Sequence, residues 1–280
     1  MPKRRRRLPT LWEVPDGLWE RIEPLLDKED PPKPRGRRRV DRRRVLDGII
    51  FRLRTSCQWN HIPRVYGDDS TIHRYFQHWC EIELFGKVWA LLVEECDELH
   101  GVQWEWQAAD TAMGKARFGG GAIGPNPTDR AKNGTKRSVL TEGDGGPLAV
   151  VVAPANVHDT KLLEATLEAI IVERPEPTRE QPQHLCLDKA YDNPTGREAV
   201  AKHNYVPHIR PIGEEPPKRH KRKYPARRWV VERTLAWLSK CRAILVRYDK
   251  NPKNYLGLLQ FACVLIWYRR LAYKSGITQF

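Results

Sequence analysis

The sequence predicts an α/β domain built on a mixed sheet, preceded by a small all-helical domain of helix-turn-helix type. Two changes of pattern carry this. Up to about His100 the apolar residues recur at helical spacing. From Gln103 short alternating or wholly apolar runs take over, interleaved with helical stretches, which is how strands alternating with helices read. The boundary falls at Gly101 and divides the chain into 1–101 and 102–280. A third observation, charge, concerns partners: the 280 residues carry a formal net charge of +14, so a polyanion is the natural one. The 40% hydrophobic content is ample for a core. No apolar run is long enough to span a bilayer, and MPKRRRRLPTLWEV lacks a signal-peptide core, so the expectation is a cytoplasmic protein. Of the two candidate polyanions, nucleic acid and an anionic membrane surface, the reading taken is nucleic acid, hence a nucleoid-associated protein with no membrane partner. The six cysteines are scattered without a CxxC pair and read as reduced thiols. Cys57, His61, His78 and Cys80 lack the spacing of a zinc site.

Taken in order, residues 1–10 hold four consecutive arginines and read as a basic arm. Leu18, Ile22, Leu25 and Leu26 mark a short amphipathic helix from about Gly17 to Asp27. The stretch KEDPPKPRGRRR (28–39) is Pro-rich and reads as a linker whose basic end runs on through Arg42, Arg43 and Arg44. Residues 1–54 carry 17 Lys/Arg against nine Asp/Glu, a density that favours phosphate contacts over a merely solvated face. Val40 to Arg54 has Val45, Leu46, Ile49, Ile50 and Leu53 at helical spacing. Trp59, Ile62 and Pro63 read as a short second helix ending in the turn VYGDDS, after which Asp69 or Ser70 can cap a third helix, TIHRYFQHW. Ile72, Phe76 and Trp79 would face inward there, leaving His73, Arg74, Gln77 and His78 outward, which is the helix-turn-helix layout; the alternative on pattern alone is a plain helical bundle. Phe85 to His100 adds a closing helix.

In the second part, Gln103 to Asp110 alternates and ends in an aspartate. Lys115 to Thr135 is Gly-, Pro- and Asn-rich and reads as a loop. Lys136–Glu142 and Pro147–Ala153 flank GDGG as a hairpin. A helix follows from His158 to Val172, then a short apolar strand, His184–Leu187, ending in Asp188. Asp192 suits the cap of the next helix, Thr195–His203, and Tyr205–Pro211 is a further strand. A basic segment leads into a helix from Arg227 to Arg242, and Tyr255–Lys274 is the last helix.

That order brings carboxylates together. If the first and fourth strands are neighbours, Asp110 and Asp188 converge at their ends, and a helix laid across that edge adds Glu232. Three carboxylates suit Mg²⁺ or Mn²⁺, hard ions that prefer oxygen donors and keep open positions for water and phosphate. Two such ions stabilise both the attacking and the leaving oxygens of a phosphoryl displacement. Lys189 and Arg228 are then candidate phosphate contacts, as is Lys240, which lies on the same side of its helix as Glu232. On that stripe Ala236 and Ser239 are small and leave room for approach.

The segments DRRRVLDGIIFRLRTSCQW, YGDDSTIHRYFQHW, ADTAMGKAR, ANVHD, LDKAYDN and RRWVVERTLAWL, long and in order across nearly the whole chain, resemble the DDE transposases of bacterial insertion sequences, specifically insertion-sequence family five. The resemblance implies an RNase H-like catalytic domain whose catalytic and metal-binding residues map to Asp110, Asp188 and Glu232. It also implies two Mg²⁺ (or Mn²⁺) ions, double-stranded DNA as partner through terminal inverted repeats and target, and a homo-oligomer on paired ends. Around the glutamate the wider pattern is Tyr-x2-Arg-x3-Glu-x6-Lys. Arg228 and Glu232 fit it, whereas Pro225 and Ser239 stand at the tyrosine and lysine positions, with Tyr224 one residue early and Lys240 one residue late. The rival expectation is a DNA-binding protein derived from a transposase that has lost its chemistry. Loss of one of the three acids would favour it; all three are present.

Overall fold

A computed structural model describes residues 10–31, 40–211 and 227–276. The arm, most of the linker and most of the basic segment before Arg227, with Tyr224 and Pro225, lie outside the described residues.

The helical part comprises α1 (Asp16–Glu29), α2 (Arg42–Thr55), two 3₁₀ turns (Trp59–His61 and Arg64–Tyr66), α3 (Asp69–Glu81) and α4 (Leu84–His100). The Asp41 carboxylate caps α2 by accepting from the Arg43 and Arg44 amides. The cap of α3 is Asp68, which accepts from the Thr71 amide, so the capping role expected of Asp69 or Ser70 falls one residue earlier. Any of three adjacent oxygen-bearing side chains can cap; Gly67, with φ of 122°, sets where the chain turns and leaves Asp68 extended at the start. The short second helix of the sequence reading is replaced by the two 3₁₀ turns, because Pro63 removes the amide that would continue the first.

The second part contains β1 (Trp106–Ala116), β2 (Gly124–Pro125), β3 (Asn133–Glu142), β4 (Pro147–Pro154), α5 (Asp159–Glu168), β5 (His184–Leu187), α6 (Pro194–Lys202), β6 (Val206–Ile209), α7 (Trp229–Ser239), α8 (Arg242–Leu245), β7 (Val246–Arg247) and α9 (Pro252–Lys274). Its main path runs β4–β3–β1–β5–β6, with β2 at the start of β3 and β7 beside the end of β1. The β1–β3 and β3–β4 pairs are antiparallel, while β1–β5 and β5–β6 are parallel. A three-strand meander continued by two parallel strands through helical crossovers is the RNase H-like arrangement of a mixed α/β sheet.

Neighbouring residues on β3 point to opposite faces. Ser138 meets Thr166 of α5 on one face, and Arg137 meets Ser239 of α7 on the other. The two helices therefore sandwich the sheet. The helical part is not loosely appended: one apolar cluster runs from Leu18 through Trp79 and Trp89 into Val139, Leu185 and Leu265. The indoles of Trp89 (α4) and Trp267 (α9) both donate to the Pro147 carbonyl at the start of β4. Arg52 of α2 pairs with Asp249 at 3.1 Å, both nearly sealed from water.

Candidate active site

The sheet register places the first two acids. Trp106 pairs with His184 and Ala108 with Cys186, so Asp110 and Asp188 each lie two residues beyond the last pair of the parallel β1–β5 ladder, whose strands stand about 4.8 Å apart. The expectation that Asp110 ends its strand is corrected: β1 runs on to Ala116, held by β3 on one side and β7 at its end. The strand that stops is β5, at Leu187. Asp110 thus faces an open edge because its neighbour has ended, not because its own strand has. Asp188 turns out of β5 and caps a 3₁₀ turn, Lys189–Tyr191, accepting from the Lys189 amide at 2.6 Å.

The third acid comes from α7, which buries Val230, Val231, Thr234, Leu235 and Leu238 against the sheet and leaves Glu232 exposed in its first turn. The continuous helix predicted from Arg227 to Arg242 is instead broken at Cys241, whose extended backbone separates α7 from α8. Arg228 ties the set together. Its guanidinium lies 2.5 Å from an Asp188 oxygen and 2.8 Å from a Glu232 oxygen, and its Nε also donates to Glu232 at 3.0 Å. Burial works against the Arg228 charge, but Asp188, Glu232 and Asp110 together outweigh it and hold its pKa above the ordinary value. Asp110 shows the converse. Burial lifts its pKa, against the Thr111 amide and Arg228, while the negative charges of Asp188 and Glu232 push the same way as burial. The Arg228 guanidinium therefore sits as a cation among three carboxylates. Among the described residues, no three acid, His or Cys side chains stand close enough to enclose a metal ion as they are.

Behind Asp110, on the α5 face, lies a polar layer built from Thr111, Lys136 and Asp159. Thr111 donates its hydroxyl to Asp159 at 2.9 Å, and the nearly buried Lys136 ammonium donates to Asp159 and to the Val157 carbonyl. His158 caps α5, accepting from the Thr160 amide. Tyr191 is 1% exposed, and among the described residues its hydroxyl has no hydrogen-bond partner. Burial drives its pKa far up, with Asp159, Asp110 and Asp188 adding to the shift, so the phenol lies within the field of all three. The signal available for Tyr191 was its spacing, one turn after Asp188. The expectation that Asp192 caps the next helix is corrected: Asn193 caps α6, and Asp192 pairs with Arg197. Ser239 does not hold space open beside Glu232, since its hydroxyl accepts from Arg137 and donates to the Leu235 carbonyl.

Residues 105–267 match the family described as "Transposase DDE domain", and residues 14–89 match "Putative transposase of IS4/5 family". The chain belongs to the DDE transposases. It is 33% identical over 162 residues to a "Putative transposase for insertion sequence element IS402" of Burkholderia cepacia, covering 55% of this chain and 72% of that protein. It is 31% identical over 121 residues to an "Insertion element IS402 uncharacterized 16.2 kDa protein" of the same organism, covering 41% of this chain and 80% of that one. Among solved structures, the "Mos1 mariner paired end complex with Mn" aligns over 98% of this chain and 90% of that one, at 9% identity and a TM-score of 0.28, too distant to bear on the site.

The transposase displays its candidate DNA contacts unevenly. Arg44, Arg74, Gln77, Lys189 and Lys240 are exposed. Arg42 is paired with Asp27, and Arg43 with Asp16 and the Val14 carbonyl, so two of the three tandem arginines fasten α2 to the α1 region. His73 is half-buried and stacks on Trp59, with ring centroids 4.4 Å apart. Lys189 follows Asp188 directly, whereas Lys240 stands at the far end of α7 from Glu232, a helical rise of about 12 Å. No helix among the described residues is long and apolar enough to cross a membrane.

Proposed function

We propose that this transposase binds the terminal inverted repeats of a mobile element and catalyses metal-dependent strand cleavage followed by strand transfer to target DNA. Asp110, Asp188 and Glu232 are the carboxylates that would hold two Mg²⁺ or Mn²⁺ ions. What supports the reading is the parallel β1–β5 ladder, two residues beyond whose last pair Asp110 and Asp188 both lie, together with Arg228, which joins Asp188 to Glu232. The donor set fits hard divalent cations in chemistry, being all carboxylate oxygen. It also fits in charge, because the guanidinium of Arg228 already occupies the centre as a cation. When bound, such ions supply activation of the attacking oxygen and charge neutralisation at the leaving one.

The chain's own residues do the rest. Were the carboxylates to hold ions, part of the Arg228 pairing would be released and its guanidinium would be available to contact a phosphate oxygen. Lys189, exposed and next to Asp188, is a second contact for the reacting strand. Thr111 anchors the backbone beside Asp110 to Asp159, which keeps the first carboxylate from drifting as charge changes around it. Arg44, Arg74 and Gln77 are exposed groups of the helical part that would meet duplex DNA, and His73 buttresses Trp59. A homo-oligomer on paired ends is part of this reading.

The test is strand cleavage on the element's own terminal repeat, with Mg²⁺, by Glu232→Gln and Asp188→Asn. Both should lose cleavage by at least about 10³-fold, or roughly 4 kcal/mol in the barrier, while still binding the duplex. Cleavage that survives either change sinks the metal assignment.

A further inference from the structure

Beyond Asp110, β1 continues to Ala116 and then delivers a surface that neither the candidate site nor the helical part uses. Arg117 donates its amide to the Arg247 carbonyl, and Lys115 pairs in register with Val246 of β7. The chain then places Phe118 against Tyr248 as an edge-on aromatic pair, ring centroids 5.5 Å apart. Both rings are open to solvent, Phe118 at 59% and Tyr248 at 37%. Lys115, Arg117 and Lys250 surround them, all exposed. Across residues 113–122 and 242–253 the one acid is Asp249, which is buried and paired with Arg52. Lys115 has Asp129 at 3.4 Å, while among the described residues Arg117 and Lys250 pair with no carboxylate.

This surface is held unusually firmly for a pair of exposed loops. Beneath it the Arg247 side chain, 1% exposed, donates to the carbonyls of Asp249, Ala122, Gly121 and Lys250 and to the Thr135 hydroxyl. Gly120, at φ 122°, lets the first loop lie directly on the second; a Cβ there would come within 2.2 Å of the Lys250 carbonyl oxygen. Sealing a guanidinium from water is costly unless all its donors are matched. Here that investment goes into fixing two loops whose outward side chains are aromatic and cationic. Loops of that composition on a rigid base suit a polyanion that also offers apolar faces.

We propose that Arg117, Phe118, Tyr248 and Lys250, with Lys115, form a preorganised shelf that grips the DNA backbone on one flank of the reacting phosphodiester. The proposal rests on the transposase reading above and adds a second contact region to it. Lys115 stands five residues beyond Asp110 on β1, about 17 Å at strand rise. That corresponds to about five base pairs of duplex at 3.4 Å each, or half a helical turn.

The experiment measures duplex binding by the full chain against salt concentration. One substrate is the terminal repeat extended about a full turn to both sides of the cleavage position; two others stop about three base pairs from it, on one side or the other. For Arg117→Ala/Lys250→Ala, losing two phosphate contacts should lower the log–log salt slope by about 1.8 and weaken binding to the full duplex roughly tenfold. The difference from wild type should vanish on one of the shortened duplexes. Phe118→Ala/Tyr248→Ala should weaken binding to the full duplex with the slope unchanged, and Arg117→Lys should restore the slope. An unchanged slope and affinity overturns the shelf. So does equal weakening on all three duplexes, or a changed oligomeric state at constant slope, which would make the patch a contact between copies. Binding to anionic vesicles that depends on the patch while DNA binding does not would overturn it as well. Mg²⁺-dependent cleavage, scored in the same samples, separates the two readings. Cleavage with an unchanged slope leaves the catalytic reading standing alone, and a lowered slope without cleavage by wild type leaves the shelf standing alone.

Discussion

Two carboxylates, Glu142 on β3 and Asp110 on the adjacent β1, lie on paired strands and are treated in opposite ways. Glu142 is fully buried and saturated: it accepts from the Gly146 amide at 2.6 Å, the Asp144 amide at 3.0 Å, the Gln103 amide at 3.3 Å and the Arg270 guanidinium at 2.6 Å. It closes the β3–β4 turn and fastens α9 to it. Asp110 is half-buried, and among the described residues its one hydrogen bond comes from the Thr111 amide. Its pKa is lifted by burial, and the nearby acids add to that. A carboxylate that serves structure is given donors until its charge is cheap. Asp110 is left short of donors, with capacity for a ligand, which is what its proposed catalytic role requires.

Neutralising each acid in turn gives the largest and most direct challenge to that distinction. Glu142→Gln should destabilise the chain by about 3 kcal/mol, because it leaves Arg270 with a buried charge and half its partners. Asp110→Asn should move the other way in metal-free buffer at neutral pH. The raised pKa means that ionised Asp110 costs folding free energy, and the neutral amide oxygen can still accept from Thr111. Urea unfolding of both variants checks this. Equal losses at the two positions would mean that Asp110 is as structural as Glu142.

Tyr191 extends the comparison to a smaller effect. A buried hydroxyl without a partner destabilises by roughly 1–3 kcal/mol, whereas the buried Thr166 hydroxyl donates and accepts on the same α5 face of the sheet. Tyr191→Phe should therefore leave metal-free stability unchanged or up to about 1 kcal/mol higher. On the metal reading proposed above, Mg²⁺ should raise the melting temperature of wild type, and Tyr191→Phe should reduce that rise. A loss of stability without metal, with the Mg²⁺ response intact, would show that the hydroxyl is satisfied by water and plays no part at the site.

How far the sequence could see follows the same line. The apolar periodicity located the helices and the β3–β4 hairpin, and the order of elements was enough to bring Asp110 to Asp188, since hydrophobic patterning decides which strands are buried. What it could not see was partnering across the fold. The end of β1 was misplaced because Lys115 and Gly114 look unlike a strand; β3 and β7 pair with them regardless. Arg42 and Arg43 looked like free cations in a basic run, yet the acids that bind them, Asp27 and Asp16, sit a helix away. Arg247 is among the most buried side chains of the molecule although nothing local marks it so. Between adjacent cap candidates, Asp68 against Asp69 and Asn193 against Asp192, the choice rests on backbone geometry that side-chain chemistry does not encode.

The mildest test concerns the helical part, where His73 contrasts with its exposed neighbours Arg74 and Gln77. Burial holds the His73 pKa below the ordinary value, with Asp249 opposing and Arg52 reinforcing the shift. The folded pKa lies below the unfolded one, so the stability contributed by neutral His73 is fully present above about pH 6.5. It is lost as pH falls toward the folded value, because the unfolded chain takes the proton first. His73→Phe keeps a ring against Trp59 and removes the proton, so its urea midpoint should fall less than that of wild type between about pH 7.5 and 5.5. If instead the variant matches wild type across that window but binds the terminal repeat much more weakly, His73 belongs with Arg74 and Gln77 as a reader of DNA. The stack on Trp59 would then be a resting position that DNA displaces.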